Sequence, residues 1–376
     1  MVWNKLMKKI VNWLNGSIYT KPLSPACLMC AEGSKMVLLV TGLCPASCFY
    51  CPLSEKKFGK DKIFVDEWEL INENDTEKLF LEAKYIKAKG AGITGGDPLI
   101  KWERTNKYIS LLKNEFGSGF HIHLYTSALK NVNYIEELIS SGLDEIRFHP
   151  MPVYWRKIQD VPFFYYIKKS IELDCDVAFE IPVIPGFEKD IFSLVKWADE
   201  NYVSWVNLNE LEYSETNAVK LNNKDFTVKN DISSAVKNSQ QTAYNVIKKI
   251  FEDDLQIGVH YCSSSFKDGI QLRNRIKRRA KSIAKKSDII TDDGTLLKGV
   301  ISSKNKTLNE IYHLLTNNLK IKKNYIHIDI DKKRIELATW ILEKNLKFLK
   351  ENKCECYMVE EYPTADRLEV EKIPLT

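Results

Sequence analysis

The chain has 376 residues, 55 of them Lys or Arg and 50 Asp or Glu, for a formal net charge of +5, and it carries nine cysteines. That length supports about two domains with an ample core, and so small a net charge selects no partner by itself. No run approaches the ~18 to 20 apolar residues of a membrane span, and no signal-peptide pattern is read, so a cytoplasmic protein is expected, with cysteines serving metal ligation or remaining reduced thiols.

In chain order, residues 2–14 place Trp3, Leu6, Met7, Ile10, Val11, Trp13 and Leu14 at helical spacing, and Asn15-Gly16 reads as the stop. Pro22 and Pro25 precede a CxxC, Cys27 to Cys30. If Gly33-Ser34 turns the chain, residues 27–32 run back along the next strand, and ~3.3 Å per residue carries Cys27 about 15 to 20 Å towards its far end. Residues 35–52, KMVLLVTGLCPASCFYCP, then read as a buried strand running into a polar turn that delivers Cys44, Cys48 and Cys51 at CxxxCxxC spacing. Three thiolates on one loop are one short of a closed tetrahedral set, so a four-iron cluster bound there keeps one iron open. Structural zinc prefers sites closed by paired ligand units, which this loop lacks. Residues 92–98, GITGGDP, end the second strand of the pattern in a bare glycine pair.

The CxxxCxxC loop with Tyr50 before its last cysteine, followed by Gly95-Gly96-Asp97, resembles the signature of the radical SAM superfamily. The resemblance implies a [4Fe-4S] cluster on Cys44, Cys48 and Cys51, with the open iron chelated by the amino and carboxylate groups of S-adenosylmethionine. It further implies one-electron cleavage of the sulfonium to a 5'-deoxyadenosyl radical, an electron donor of ferredoxin or flavodoxin type, and a methionine amino group held by Gly95, Gly96 and Asp97. Glycines there permit close approach of backbone. The other reading of the same residues is a zinc loop or redox-sensing thiols beside an unrelated glycine turn.

From residue 35 strand and helix alternate. Apolar runs at 36–41, 91–94, 121–126, 145–149, 177–184, 205–211 and 256–261 are separated by helical patterns at 74–89, 102–115, 132–141, 163–173, 189–200 and 232–252, which predicts parallel strands with crossover helices. The architecture that the resemblance implies is an α/β fold, an open partial (β/α)6 barrel, whose chemistry sits at the carboxyl ends of the strands. Thr126 and Ser127 end the third strand, with hydroxyls able to reach the methionine or ribose. Arg147 and His149 share one face of the fourth; His149 reads either as a ligand of the cofactor carboxylate, as in related enzymes, or as a structural histidine. The fifth, FEIPVIPG, resembles a segment of activating enzymes related to pyruvate formate-lyase activase, but Glu180 stands where those usually have Arg. Glu180 is left to bind ribose hydroxyls, pair with Arg147 or reach substrate. In the sixth, Asn207, Asn209 and Leu211 share the inward face, with Asn209 placed for the adenosine, and Glu210 and Glu212 point the other way. The last supplies His260 and Cys262, which with Cys27 and Cys30 make a candidate second site for zinc or an auxiliary cluster, or else isolated buried thiols.

Residues 271–286, QLRNRIKRRAKSIAKK, form an amphipathic helix without acids, whose Arg273, Arg275, Lys277, Arg278 and Arg279 suit a phosphate backbone or a docked face. Beyond it, strands at 295–302, 325–335, 354–360 and 367–374 and helices at 307–319 and 338–352 predict a small α+β domain, ferredoxin-like in topology. The expected division is 1–34, 35–265, 266–294 and 295–376. The expected function is a radical SAM enzyme abstracting hydrogen from a macromolecule, RNA (tRNA) first on account of the basic helix. The alternatives are protein or peptide radical activation related to glycyl-radical activating enzymes, and a metal-stabilised RNA-binding protein without catalysis.

Overall fold

Apolar runs buried on both faces fold here as parallel strands: β1 Lys35–Leu39, β2 Gly90–Thr94, β3 His121–Thr126, β4 Glu145–Phe148, β5 Asp176–Val183 and β6 Trp205–Glu210, each hydrogen-bonded in parallel to the next. A seventh, β7 Gly258–Cys262, continues the parallel order beside β6. The computed structural model describes residues 10–375, which divide into two compact units, 10–84 with 88–272, and 85–87 with 273–375.

In the first unit the strand order is linear, so the sheet does not close on itself. Antiparallel strands pair at both edges of the parallel set, Ile63–Val65 against β1 and Ile18–Thr20 against β7, and leave neither edge of it bare. Crossover helices bury one stripe each: Trp102–Phe116 buries Thr105, Tyr108, Ile109 and Leu112, and Glu188–Glu200 buries Ile191, Leu194, Val195 and Ala198, the spacing of a single helical face. Among the described residues no helix is long and apolar enough to cross a membrane.

Two expectations for the N-terminal segment are corrected. Of the helix expected over 2–14, residues 2–9 lie outside the described residues, and Ile10–Asn12 is instead a strand in a hairpin with Ile18–Thr20. The open edge of β7 offers backbone partners to Ile18–Thr20, whose other edge in turn pairs with the β-branched Ile10 and Val11. The CxxC is not extended either, because Pro25–Ala31 is a helix. Ser24 caps it by accepting from Ala26 N at 3.1 Å, Pro25 fills the first turn, and Gly33 at φ +69° terminates it.

The second unit has the expected ferredoxin-like order. Leu296–Ser302, the hairpin Ile326–Asp329 with Arg334–Leu337, and Glu355–Glu361 form an antiparallel sheet in the spatial order second, third, first, fourth, with Glu369–Pro374 added outside the fourth. One face packs Ile301, Ile335, Leu337, Cys354 and Cys356 on the helices through Ile311, Leu315, Ile341, Leu342 and Leu349. The other buries ions: Lys298 Nζ lies 2.6 Å from Glu361 Oε1, and Arg334 Nη2 lies 2.6 Å from Glu361 Oε2 and 2.7 Å from Glu336 Oε1.

Candidate active site

Where β1 and β2 end, two loops are fastened together. Gly96 N donates to Thr41 O at 2.7 Å and Asp97 N to Leu43 O at 2.8 Å, at the root of the cysteine loop. A Cβ on Gly95 would stand 2.4 Å from Thr41 O, and one on Gly96 2.2 Å from Leu43 O. Both are backbone atoms, so the glycine pair is what lets the loops touch. Behind it, the Asp97 carboxylate is fully buried and accepts from Thr126 Oγ1 at 2.8 Å, Leu99 N at 3.0 Å, Ser127 N at 3.1 Å and Ser127 Oγ. Burial pushes its pKa up against the pull of those hydrogen bonds. Its side chain therefore ties the end of β3 to the glycine loop, and the hydroxyls of Thr126 and Ser127, expected to face the cofactor, are donated to it.

A cavity of about 320 Å³ opens here, of the size of a small-molecule pocket. It collects Cys44, Cys48, Tyr50 and Cys51 from one loop, Gly95, Gly96, Thr126 and Ser127 from the next two strand ends, and His149, Glu180 and Asn209 from β4 to β6. The sequence reading had also placed Asp97 in this group, but it sits behind the lining. It missed Lys267, which lines the cavity beside Glu212 and pairs with it. Glu212 was expected on the outward face, but β6 ends at Glu210, so strand alternation no longer governs it.

Burial pushes the Cys44 thiol up to about 11 and raises that of Cys48. Among the described residues no three His, Cys, Asp or Glu side chains stand together as ligands of one ion. Three thiols spaced along a loop on one cavity fit a multi-iron cluster, whose irons each take their own thiolate, better than a single cation.

Across the sheet lies a buried charge network. Glu180 Oε2 is 2.7 Å from Arg147 Nη1 and accepts from Asn207 Nδ2 at 3.1 Å, while Oε1 accepts from Asn209 Nδ2 at 2.8 Å. Arg147 Nε lies 2.6 Å from Glu145 Oε1, and Nη2 donates to Ser24 Oγ at 3.1 Å. Burial raises the Glu180 carboxyl, but the guanidinium and the two amides outweigh it and hold its pKa below the usual range. Glu180 thus both pairs with Arg147 and faces the cavity. His149 donates from Nδ1 to Glu180 O at 2.6 Å and accepts at Nε2 from Tyr50 OH at 2.9 Å. Burial lowers its pKa, so the ring is neutral, and in this arrangement neither nitrogen has a proton left for a carboxylate.

Among the described residues, Cys27, Cys30, His260 and Cys262 supply no three side chains that stand together as ligands of one ion, the same outcome as for the cysteine loop. Cys27 Sγ is 3.6 Å from Asn207 Oδ1 and accepts from Arg147 Nη2 at 3.8 Å. Burial pushes Cys30 up to about 11. Cys262 packs on Phe266 and Ile270, and His260 lies against the contacting rings of Trp13 and Phe266 with both nitrogens unpartnered. The basic helix is Arg273–Ile283, and the five cations singled out in it meet protein. Arg278 donates to Ile86 O and Lys87 O, both at 2.6 Å, Arg279 is buried over the Tyr85 ring and donates to Pro363 O, Arg273 lies 4.0 Å from Asp293, and Lys277 packs on Gly294. Arg275 is likewise engaged.

Comparison with known proteins agrees with the cavity. The family described as the Radical SAM superfamily matches residues 38–150, and a domain of unknown function (DUF8061) matches 294–375. Over 364 residues, 94% of this chain and 93% of the relative, the chain is 41% identical to a Methanocaldococcus jannaschii protein named "Putative glycyl-radical enzyme activating enzyme". Over 109 residues, 29% of this chain and 31% of the relative, it is 31% identical to GTP 3',8-cyclase of Staphylococcus carnosus. The solved structure of Streptococcus suis SuiB bound to S-adenosylmethionine covers 61% of this chain and 50% of its own, at 11% identity and a TM-score of 0.44. The chain belongs to the radical SAM superfamily, as an enzyme of the branch related to the activating enzymes of glycyl-radical enzymes.

Proposed function

We propose that this enzyme abstracts a hydrogen atom from a polypeptide, with Cys44, Cys48 and Cys51 holding a [4Fe-4S] cluster and S-adenosylmethionine occupying the cavity beside it. The observation that carries the reading is the 41% identity to the activating-enzyme relative over nearly all of both chains, the C-terminal unit included. When bound, cluster and cofactor supply one-electron cleavage of the sulfonium to methionine and a 5'-deoxyadenosyl radical that takes the hydrogen, the electron coming from a ferredoxin- or flavodoxin-type donor.

The chain's own residues do the placing. Backbone at Gly95 and Gly96 lets a ligand lie close to the cysteine loop without side-chain hindrance. Glu180, kept ionised by Arg147 and oriented by Asn209, presents a fixed acceptor for hydroxyl groups. Tyr50 and His149 brace each other, fixing the aromatic ring next to Cys51. Cys27, Cys30, His260 and Cys262 take no part in this reading. Neither does RNA, because Arg278 and Arg279 of the basic helix that motivated it are engaged within the C-terminal unit.

The test uses enzyme rebuilt anaerobically with iron and sulfide, given S-adenosylmethionine and dithionite, and offered protein or RNA fractions from cells grown in deuterated medium. Deuterium in 5'-deoxyadenosine from the protein fraction is expected. Deuterium from the RNA fraction alone overturns the polypeptide assignment, and no 5'-deoxyadenosine at all overturns the chemistry.

A further inference from the structure

Between β6 and the helix Ser239–Glu252 the chain makes an excursion through residues 211–238 that includes the helix Ala218–Asn222 and the hairpin Val228–Asn230 with Ser233–Val236. A plain strand-to-helix connection needs a handful of residues. Part of this one lies on the cysteine loop. Thr216 Oγ1 is 2.7 Å from Leu53 O and 3.2 Å from Cys51 O, and Asn217 Nδ2 donates to Tyr50 O at 3.3 Å. Two adjacent side chains distant in sequence thus face this stretch, Asn217 donating to Tyr50 O and the single Thr216 hydroxyl proton shared between Leu53 O, the nearer, and Cys51 O. Phe226 lies parallel to Phe49 with ring centroids 6.3 Å apart, and Lys224 Nζ stands 4.8 Å over the other contact ring, that of Phe49 itself.

The cysteine loop has little to hold it otherwise. Among the described residues, backbone from 44 to 53 makes one backbone-to-backbone hydrogen bond, Cys51 N to Cys48 O at 3.4 Å. Asn217, by contrast, is 1% exposed and itself fixed, its Oδ1 accepting from Ser214 N at 2.8 Å and its Nδ2 donating also to Glu212 O at 3.0 Å. A rigid pair of donors meets an otherwise loose chain at the third cysteine.

We propose that Thr216 and Asn217 are positioning residues that clip the backbone around Cys51 and so set how firmly the iron–sulfur centre is held. This rests on the reading of Cys51 as a cluster ligand. The clip lies on the segment that leads from Glu212, a lining residue of the cavity, so it ties the cavity wall to the loop of the third cysteine.

The test compares wild type, Thr216→Val, Thr216→Ser and Cys51→Ala after anaerobic rebuilding, by iron per chain, rate of iron loss to a chelator, and the electron paramagnetic resonance signal of the dithionite-reduced centre. Thr216→Val keeps the shape and removes the one hydroxyl proton that Leu53 O and Cys51 O share, so iron loss roughly ten-fold faster with an altered signal is expected, and Thr216→Ser restores it. Circular dichroism confirms that each variant is folded, and Phe226→Leu, which loosens the same segment from Phe49 without touching Thr216, supports the proposal if it shifts iron loss in the same direction. Thr216→Val with wild-type iron loss and signal overturns the proposal. Full iron retention in Cys51→Ala instead overturns the ligand reading beneath it.

Discussion

Arg147 Nη1 lies 2.7 Å from Oε2 of Glu180, and the same guanidinium reaches Glu145 on its own strand at 2.6 Å. The side chains of Arg147 and Glu145 are 3% and 0% exposed and that of Glu180 is 16%, so one largely buried cation is shared between two carboxylates. Arg147→Met removes the cation that both share, leaving Glu180 only the amides of Asn207 and Asn209 and Glu145 the hydroxyl of Ser24, and is expected to destabilise the parallel sheet by about 3 to 5 kcal/mol. Glu180→Gln leaves the Arg147–Glu145 pair intact, so it costs on the order of 1 to 2 kcal/mol and acts mainly by weakening S-adenosylmethionine binding. Hydrogen exchange in β4 and β5, with calorimetric titration of the cofactor, checks both. Equal stability losses in the two variants would contradict the network.

The histidines inside the sheet give the first unit a pH signature. Burial, joined at His121 by the nearby Lys35, lowers His121 to about 3, puts His123 far below its ordinary value and takes His260 to about 3. Unfolded, each binds a proton near pH 6.5, while the folded chain refuses it until far lower, so between these values the unfolded state holds more protons and stability rises with pH. The contribution is complete above about pH 6.5 and is lost as pH falls towards 3. His260→Gln should take about one proton, or roughly 1.4 kcal/mol per pH unit, off the slope measured by urea unfolding. An unchanged slope would show that His260 is already protonated in the fold.

The parallel order of β1 to β7 was legible because apolar runs alternate with single-faced helices, a pattern that any register preserves. The cavity was legible because cysteine spacing and a glycine pair are local signals, and both lie on loops at the same end of the sheet. Less legible was what each polar group does once there. Asp97, Thr126 and Ser127 are the right neighbours, yet they face one another, since a buried carboxylate must find donors before any ligand does. The helix Pro25–Ala31 did carry its signal, Ser24-Pro25 at the start and Gly33 at the end, which the pull of a CxxC reading obscured. The arginines of Arg273–Ile283 looked solvent-facing because a one-dimensional pattern does not display the carbonyls of Ile86 and Lys87 that receive them.

Strand register decides the charged face of the C-terminal sheet as well. Lys298 is 1% exposed and reaches Glu361 at 2.6 Å, Asp288 at 3.6 Å and Glu336 at 3.7 Å. Despite burial, Lys298 with Arg334 and Arg367 holds the Glu361 carboxyl at about 2. A carboxylate lowered in the fold adds stability that is complete above its unfolded value near 4.3 and disappears as pH falls towards 2. Lys298→Met should therefore cost about 3 to 5 kcal/mol at neutral pH and less near pH 2, where Glu361 is about half protonated. Hydrogen exchange of Glu355–Glu361 at the two pH values reads it. A loss that is the same at both would mean that Lys298 acts by packing alone.

Gly96 tests whether contact between the two loops makes the site. A methyl group there meets Leu43 O at 2.2 Å, Leu43 C at 2.5 Å and Gly42 O at 2.7 Å, all backbone atoms that cannot rotate away. The loops must part, and the hydrogen bonds of Gly96 N to Thr41 O and Asp97 N to Leu43 O stretch or break with them. Gly96→Ala is expected to cost at least about 2 kcal/mol and to lower both iron per chain and cofactor affinity, since the cysteine loop and the glycine loop line one cavity. Gly119→Ala is the control, because a methyl group there meets nothing within 4 Å and the backbone needs no left-handed conformation. If Gly96→Ala binds iron and S-adenosylmethionine like Gly119→Ala, the glycine pair is a spacer and the cysteine loop is organised from elsewhere.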